Sequence, residues 1–222
     1  MMNKLVKIVF VALSLGSSAF ALDANTVFNN QKKSAFPDTC EMQLKTTVAL
    51  PGMASQTVNT SVINAGPDKS ITTIESSMMR MKMIQNNGRM KVIDLKSGQT
   101  LPAQNVPKQN PADIASQMGE PSDYKAPVKS GNLWKLVPKD ASRPTLFYSD
   151  KVKRVVKMNT VVNGSAAEIA MEYCDNSCPL PGTLKKTEIV TVMQGGEKSS
   201  VVVEVVSAKA RHILPAKMFN IE

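Results

Sequence analysis

The sequence predicts a mainly β protein made of antiparallel hairpins, with short helices near its start and in its middle. Three observations carry that expectation. Between Ser76 and Asp94, Met79, Met81 and Met83 alternate with Arg80 and Lys82, and a period of two marks an extended strand with unlike faces. Asn87-Gly88 and Asn163-Gly164 supply residues that accept positive φ in a tight hairpin turn. The connections between successive alternating runs are too short for the crossover helices that parallel strands need.

Taken in order, residues 1–21 read as a secretory leader. Lys4 and Lys7 open it, Leu5 to Leu15 is apolar, and Ala19-Phe20-Ala21 fits a small-x-small cleavage site. The apolar run is too short for a good membrane span. No cysteine follows the cleavage site, so lipidation is not expected. The mature chain is expected to be soluble, periplasmic and a single domain over residues 22–222. Residues 22–35 form a short helix, with Asp23 as cap and Val27, Phe28 and Gln31 on one side. Residues 39–50 read as a strand carrying Cys40, Met42, Leu44, Thr46 and Val48 on one face. Pro51-Gly52 turns into a thin polar strand at 56–65. Gly66-Pro67-Asp68 turns again, and 69–76 leads into the methionine hairpin. Across Asn87-Gly88, Met83 should face Val92 and Gln85 should face Met90. The opposite side mixes Arg80, Lys82 and Lys91 with Ile84, Ile93 and Leu95.

Residues 96–131 break the rhythm. Pro102, Pro107, Pro111, Pro121 and Pro127 argue against a continuous strand. Asn110-Pro111 is a helix start and Gly119 a helix end, with Ile114 and Met118 one turn apart between them. This short helix reads either as a plug for the core or as a lid over an apolar cleft. Residues 132–139 and 145–148 are strands, with Trp134 and Leu136 facing the same way. Residues 151–162 and 165–174 pair across Asn163-Gly164, which sets Met158 opposite Ile169 and Val156 opposite Met171. Residues 183–193 and 198–210 form a last long hairpin. Apolar residues on both of its faces (Val190, Val192, Val201, Val203 and Val205, with Ile189, Val202 and Val206 opposite) suggest burial on two sides. Residues 213–221 close the chain as a hydrophobic tail.

The formal net charge is +9, and the leader's Lys4 and Lys7 supply two of these charges. Lysines are scattered, arginines do not cluster, and three tyrosines with one tryptophan make no base-stacking ladder. Nucleic acid is therefore not an expected partner, and the lysines read as solvated outer faces of strands. Cys174 and Cys178 could close a short disulfide loop in an oxidising compartment, leaving Cys40 buried or free; a bridge from Cys40 to either is the alternative. No metal site is expected with a single histidine, His212. That residue has no Gly-x-Ser-x-Gly elbow to work with, and no phosphate-cradling loop opens a helix. The reading is not an enzyme, and no cofactor is expected.

A leader, a short first helix, a long meander, a helix-bearing central excursion and a second set of long hairpins resemble the bacterial outer-membrane lipoprotein-sorting family, the LolA type. The closing Ile213-Leu214-Pro215, Met218-Phe219 and Ile221 resemble its C-terminal proline-then-phenylalanine signature. The run from Asn87 to Asp94 resembles its central hairpin. The resemblance implies a curved antiparallel sheet forming an incomplete, half-open β-barrel with short helices as lid or plug. It further implies a periplasmic carrier of lipid or lipoprotein acyl chains, served by a receptor in the inner or outer membrane; a monomer is expected. Of the arginine that family carriers hold near the lid, only Arg80 and Arg89 are candidates, without a motif to place it.

On this reading the apolar cleft is lined by Met79, Met81, Met83, Met90, Val92, Trp134, Leu136, Val156, Met158, Ile169 and Met171, with Ile114 and Met118 on the lid. Methionine is flexible and polarisable, and suits surfaces that accept apolar partners of varied shape. The same pattern also fits an ordinary filled core. In that case the scaffold would serve as an envelope interaction or sensor protein without lipid transport.

Overall fold

The computed structural model describes residues 22–32, 36–66, 68–105, 118–162, 164–176, 178, 180–193, 195–211 and 213–221. The leader, Ile114, Asn163 and His212 lie outside the described residues. Among the described residues one α-helix, α1 (Ala24–Lys32), precedes thirteen strands. The first six are β1 (Thr39–Ala49), β2 (Gln56–Ala65), β3 (Lys69–Glu75), β4 (Arg80–Asn86), β5 (Arg89–Asp94) and β6 (Thr100–Asn105). The rest are β7 (Val128–Ser130), β8 (Leu133–Leu136), β9 (Thr145–Ser149), β10 (Arg154–Val162), β11 (Ser165–Tyr173), β12 (Leu184–Val192) and β13 (Lys198–Ala210). All thirteen belong to one antiparallel sheet in the order β6-β5-β4-β3-β2-β1-β13-β12-β11-β10-β9-β8-β7. The sheet is curved and does not close, which makes it an incomplete barrel.

Two hairpin meanders are joined where the first and last strands pair, Cys40 with Ala210 and Val48 with Val201. A bulge between Gln43 and Leu44 accommodates the join and leaves Val206 66% exposed. The expected two-sided burial of the last hairpin is therefore not found: Val192 and Val206 are exposed, and Val190, Val201, Val202, Val203 and Val205 are half-buried. The expected methionine hairpin is present. Asn87 (φ 51) and Gly88 (φ 77) form its turn, and Met83 faces Val92 and Gln85 faces Met90. Met79 is a correction. It lies before β4, in the turn, where its carbonyl accepts the Ser76 amide at 2.9 Å, and it is 42% exposed.

Residues 96–131 hold two strands that the prolines conceal. Pro102 lies inside β6, which is an edge strand. An edge is where a residue lacking an N–H costs no ladder bond. The other edge, β7, is three residues long, followed across a tight turn by β8.

Partner-by-partner register divides the side chains between two faces. The inner face is the one that α1 covers. Leu136, Leu146, Met158, Ile169, Ile189, Val201 and Val48 form one unbroken row across it. The outer face carries Ile63, Ile71 and Ile84 as successive partners. There the C-terminal tail packs down: Phe219, in the 3-10 turn Ala216–Phe219, is 1% exposed. Phe219 clusters with Ile71 and Ile84, and its carbonyl accepts a bond from the Asn86 side-chain amide at 3.0 Å. This explains why Ile84 and Ile93 interrupt the otherwise basic side of the methionine hairpin.

Candidate functional site

The inner face has two unlike halves. Over β8–β12 it is filled. Val27 and Phe28 of α1 join Leu136, Leu146, Tyr148, Val155, Met158, Ile169 and Met171 in one buried cluster. A nine-residue helix is too short to be stable alone, so its position comes from this packing and from polar bonds at its C-terminal end. Gln31 donates to the Tyr173 hydroxyl at 3.4 Å and accepts the Val155 amide at 3.1 Å. Asn30 donates to the Tyr148 hydroxyl at 2.9 Å, and Arg154 donates to the Asn30 carbonyl. Tyr173 donates onward to the Val155 carbonyl at 3.1 Å.

Met118 closes the cluster from the other side. It is fully buried and its carbonyl accepts the Tyr124 hydroxyl at 2.8 Å. The Tyr124 ring lies 5.5 Å from that of Phe28, tilted by 55°. Burial pushes the Tyr124 hydroxyl up to about 12. It raises the Tyr148 and Tyr173 hydroxyls as well. Trp134 stands at the margin, its indole N–H donating to Asp150 at 2.6 Å. That bond, assisted by Lys129 at 3.1 Å, holds Asp150 below the usual carboxylate range.

Over β1–β5 and β13 the same face lacks such a cluster among the described residues, and only the start of β1, with Cys40 and Met42, is buried there. Met81, Met83, Met90, Val92, Ile74 and Leu44 are half-buried, and each belongs to the inner face by register. Met81 partners Ile74, which partners Thr60, which partners Leu44; Met83 partners Thr72, then Val62, then Met42. These apolar side chains share the face with polar ones, Thr46, Thr60, Ser70, Thr72 and Gln85, and the methionines with Val92 form its apolar edge over β4 and β5.

The residues expected to line one cleft therefore share one face but not one environment. Met81, Met83, Met90 and Val92 lie on the open half. Leu136, Met158, Ile169 and Met171 lie in the filled half, with Trp134 packed against it. Val156 is half-buried at a bulge where β9 pairing passes from Val155 to Lys157. The ladder to β11 runs from Lys157–Ala170 onward, so the expected pairing of Val156 with Met171 is not part of it, and Val155 is the residue that is fully buried. Met118 is in the core rather than at an exposed lid edge.

Sequence reasoning missed Tyr124, Leu146 and Tyr148 as parts of the plug. It also missed the contribution of Leu44, Val48, Val201 and Val203 to the open half. Their strand faces were readable, but nothing local announces the β1–β13 pairing. Cys40 is buried, which raises its thiol. Cys174 and Cys178 lie against each other as thiols in the β11–β12 loop, and the hydrogen bond with Cys174 raises the Cys178 thiol. Among the described residues, no group of histidine, cysteine, aspartate and glutamate has the arrangement of a metal site.

Comparison with solved structures places this architecture. A LolA superfamily protein from Nitrosomonas europaea superposes with a TM-score of 0.61 at 18% identity, over 90% of this chain and 98% of that one. An outer membrane lipoprotein-sorting protein domain from Vibrio parahaemolyticus gives 0.52 at 8% identity, over 92% and 97%. A DUF1329 family protein from Desulfovibrio piger gives 0.50 at 9% identity, over 89% and 95%. No family model matches the sequence, and no curated protein does. The fold is that of the LolA superfamily, an open β-barrel, and identities this low establish the fold alone.

Proposed function

We propose that this chain is a non-enzymatic carrier of the periplasm that holds acyl chains of a lipid or lipoprotein on the open half of its inner face. One observation carries the reading. Register sets Met81, Met83, Met90 and Val92 on the face that α1 seals elsewhere, yet here they remain half-exposed. Apolar side chains held half-exposed in this way are stabilised by an apolar occupant. About ten methylenes would supply on the order of 8 kcal/mol, the scale of a micromolar complex before ordering costs are subtracted. The likeness to a lipoprotein-sorting domain supports the choice of acyl chains. Methionine side chains, which adapt to varied apolar shapes, suit a carrier of more than one chain length.

Titration with a fluorescent fatty acid tests this. The wild-type chain should bind it, and native mass spectrometry after gentle purification should show lipid adducts. Met83→Asp should weaken probe binding at least about tenfold, because it sets an ionised group against the apolar chain, while the far-ultraviolet circular dichroism stays that of the wild type. Protein that carries no adduct and ignores the probe would end the carrier reading and leave the fold untouched.

A further inference from the structure

Six hairpin loops meet at one end of the sheet, and five of them belong to the long central hairpins: residues 50–55, 76–79, 95–99, 163–164 and 193–197. Among the described residues, ten of the fourteen exposed large apolar side chains lie in these five loops or within two residues of them. At the tips stand Leu50, Met53, Met78, Met79, Leu95 and Met193, with Met53 58% and Met78 73% exposed. Of the same fourteen, the opposite end of the sheet contributes Val152 and, just past the end of β13, Ile213.

Charge is distributed the other way. In a chain that is 20% charged, with a formal charge of +9, these five loops contain only Lys96 and Glu197. The Lys96 ammonium is already held by the Ser77 and Met78 carbonyls, at 3.2 and 2.9 Å. At the flanks, Glu75 and Arg80 pair at 2.8 Å, and Asp94 accepts the Lys96 amide at 2.8 Å. The sixth loop of this rim, beside the plugged half, is charged instead, with Lys139, Asp140 and Arg143.

We propose that the rim of these five loops docks on the interface of an uncharged, zwitterionic phospholipid bilayer. The rim presents separate apolar prongs on successive loop tips, without net charge, and this fits insertion among lipid headgroups better than the broad continuous contact of a stable protein interface. It is also continuous with the open inner face. Met79 on the rim is followed by Met81 and Met83 in β4, and a cleft of about 310 Å³ lies between the first two loops, lined in part by Val58, Met78 and Met79. The inference rests on the carrier reading for its purpose, since an acyl chain leaving the bilayer would meet the inner face at this rim.

Flotation with phosphatidylcholine vesicles tests it, with and without added phosphatidylglycerol and at low and high salt. The wild-type chain should bind both vesicle types equally and independently of salt. The double variant Met53→Ser, Met193→Ser should lose at least about tenfold in partitioning, from the loss of two inserted apolar side chains, and keep its affinity for the fluorescent fatty acid. Failure to bind phosphatidylcholine vesicles overturns the proposal. So does binding that needs phosphatidylglycerol and disappears in salt, which would assign docking to the basic outer face. A concentration-dependent dimer that the double variant abolishes would assign the rim to a second copy and also overturn it. Vesicle binding that persists in a chain unable to bind the probe would remove the carrier reading and leave the docking surface standing.

Discussion

The two halves of the inner face are made from the same kind of strand and end in different states. Met158 on β10 and Met83 on β4 both alternate with polar neighbours in regular hairpins and both lie on the inner side of one sheet. Yet Met158 is 1% exposed and Met83 is half-buried. The difference does not lie in the strands. It lies in what crosses them: α1, Met118 and Tyr124 fill the hollow over β8–β12, and their short connections hold them to that end. An alternating strand thus specifies a face, and whether that face becomes core or stays half-exposed depends on a covering segment elsewhere in the chain. The larger buried cluster lies on the inner side of the filled half, whereas β3 and β4 are packed on their outer side, under the C-terminal tail.

Truncation of matched residues is the most direct way to break this contrast. Leu136→Ala removes a fully buried side chain from the plugged cluster and should cost about 2–5 kcal/mol. Met83→Ala opens no closed cavity and should cost under about 1 kcal/mol. Urea unfolding followed by the fluorescence of the single tryptophan, Trp134, at the margin of the plug, measures both. Equal costs would mean that the open half is packed as tightly as the plugged one.

How far this arrangement could be read beforehand follows from how local each signal is. The β4–β5 register was legible because the Asn87-Gly88 turn and the period of two agree on it, as Asn163-Gly164 and Met158–Ile169 do for β10–β11. The side of α1 that packs was legible from Val27, Phe28 and Gln31. The union of β1 with β13 was not, because Cys40 and Ala210 meet across nearly the whole chain with no turn between them to announce it. β6 was hidden because Pro102 excludes a strand interior but not a strand edge. The division of one predicted cleft into core and open surface was also beyond reach, since Met171 and Met83 have similar neighbours in sequence. Only the destination of α1 and Tyr124 separates them.

Alkaline pH should sharpen the contrast with an effect of the next size. All three tyrosines belong to the plugged half, and burial raises each hydroxyl, Tyr124 to about 12 from an ordinary 10. A folded-state value above the unfolded one means that this stabilisation is complete below pH 10. It is lost as pH rises toward 12, because the unfolded chain gives up its proton first. For Tyr124 the loss should reach about 2–3 kcal/mol. Tyr124→Phe should weaken the chain at neutral pH, by about 1–3 kcal/mol, since the buried Met118 carbonyl loses its donor. It should also flatten the stability profile between pH 10 and pH 12. Urea midpoints at a series of pH values check this, and a variant that keeps the wild-type slope would place the titrating group outside the plug.

The smallest effect expected concerns the loop that follows Tyr173, the residue whose hydroxyl ties α1 to β10. Cys174 and Cys178 already face each other there. Exchange with a disulfide donor would join their sulfurs and pass their two protons and two electrons to the donor, which leaves as a dithiol. Closing so short a loop should stabilise the chain by no more than about 2 kcal/mol. Because the link sits at the end of β11, it should slow hydrogen exchange in β10, β11 and α1 and leave β4 and β5 unchanged. Cys40, buried with its thiol raised, should resist alkylation in both forms. Mass spectrometry should find the oxidised chain two hydrogens lighter, with one alkylatable thiol after unfolding. If protection rose equally in β4 and β5, the two halves of the sheet would be a single cooperative unit, and the independence inferred from their packing would be lost.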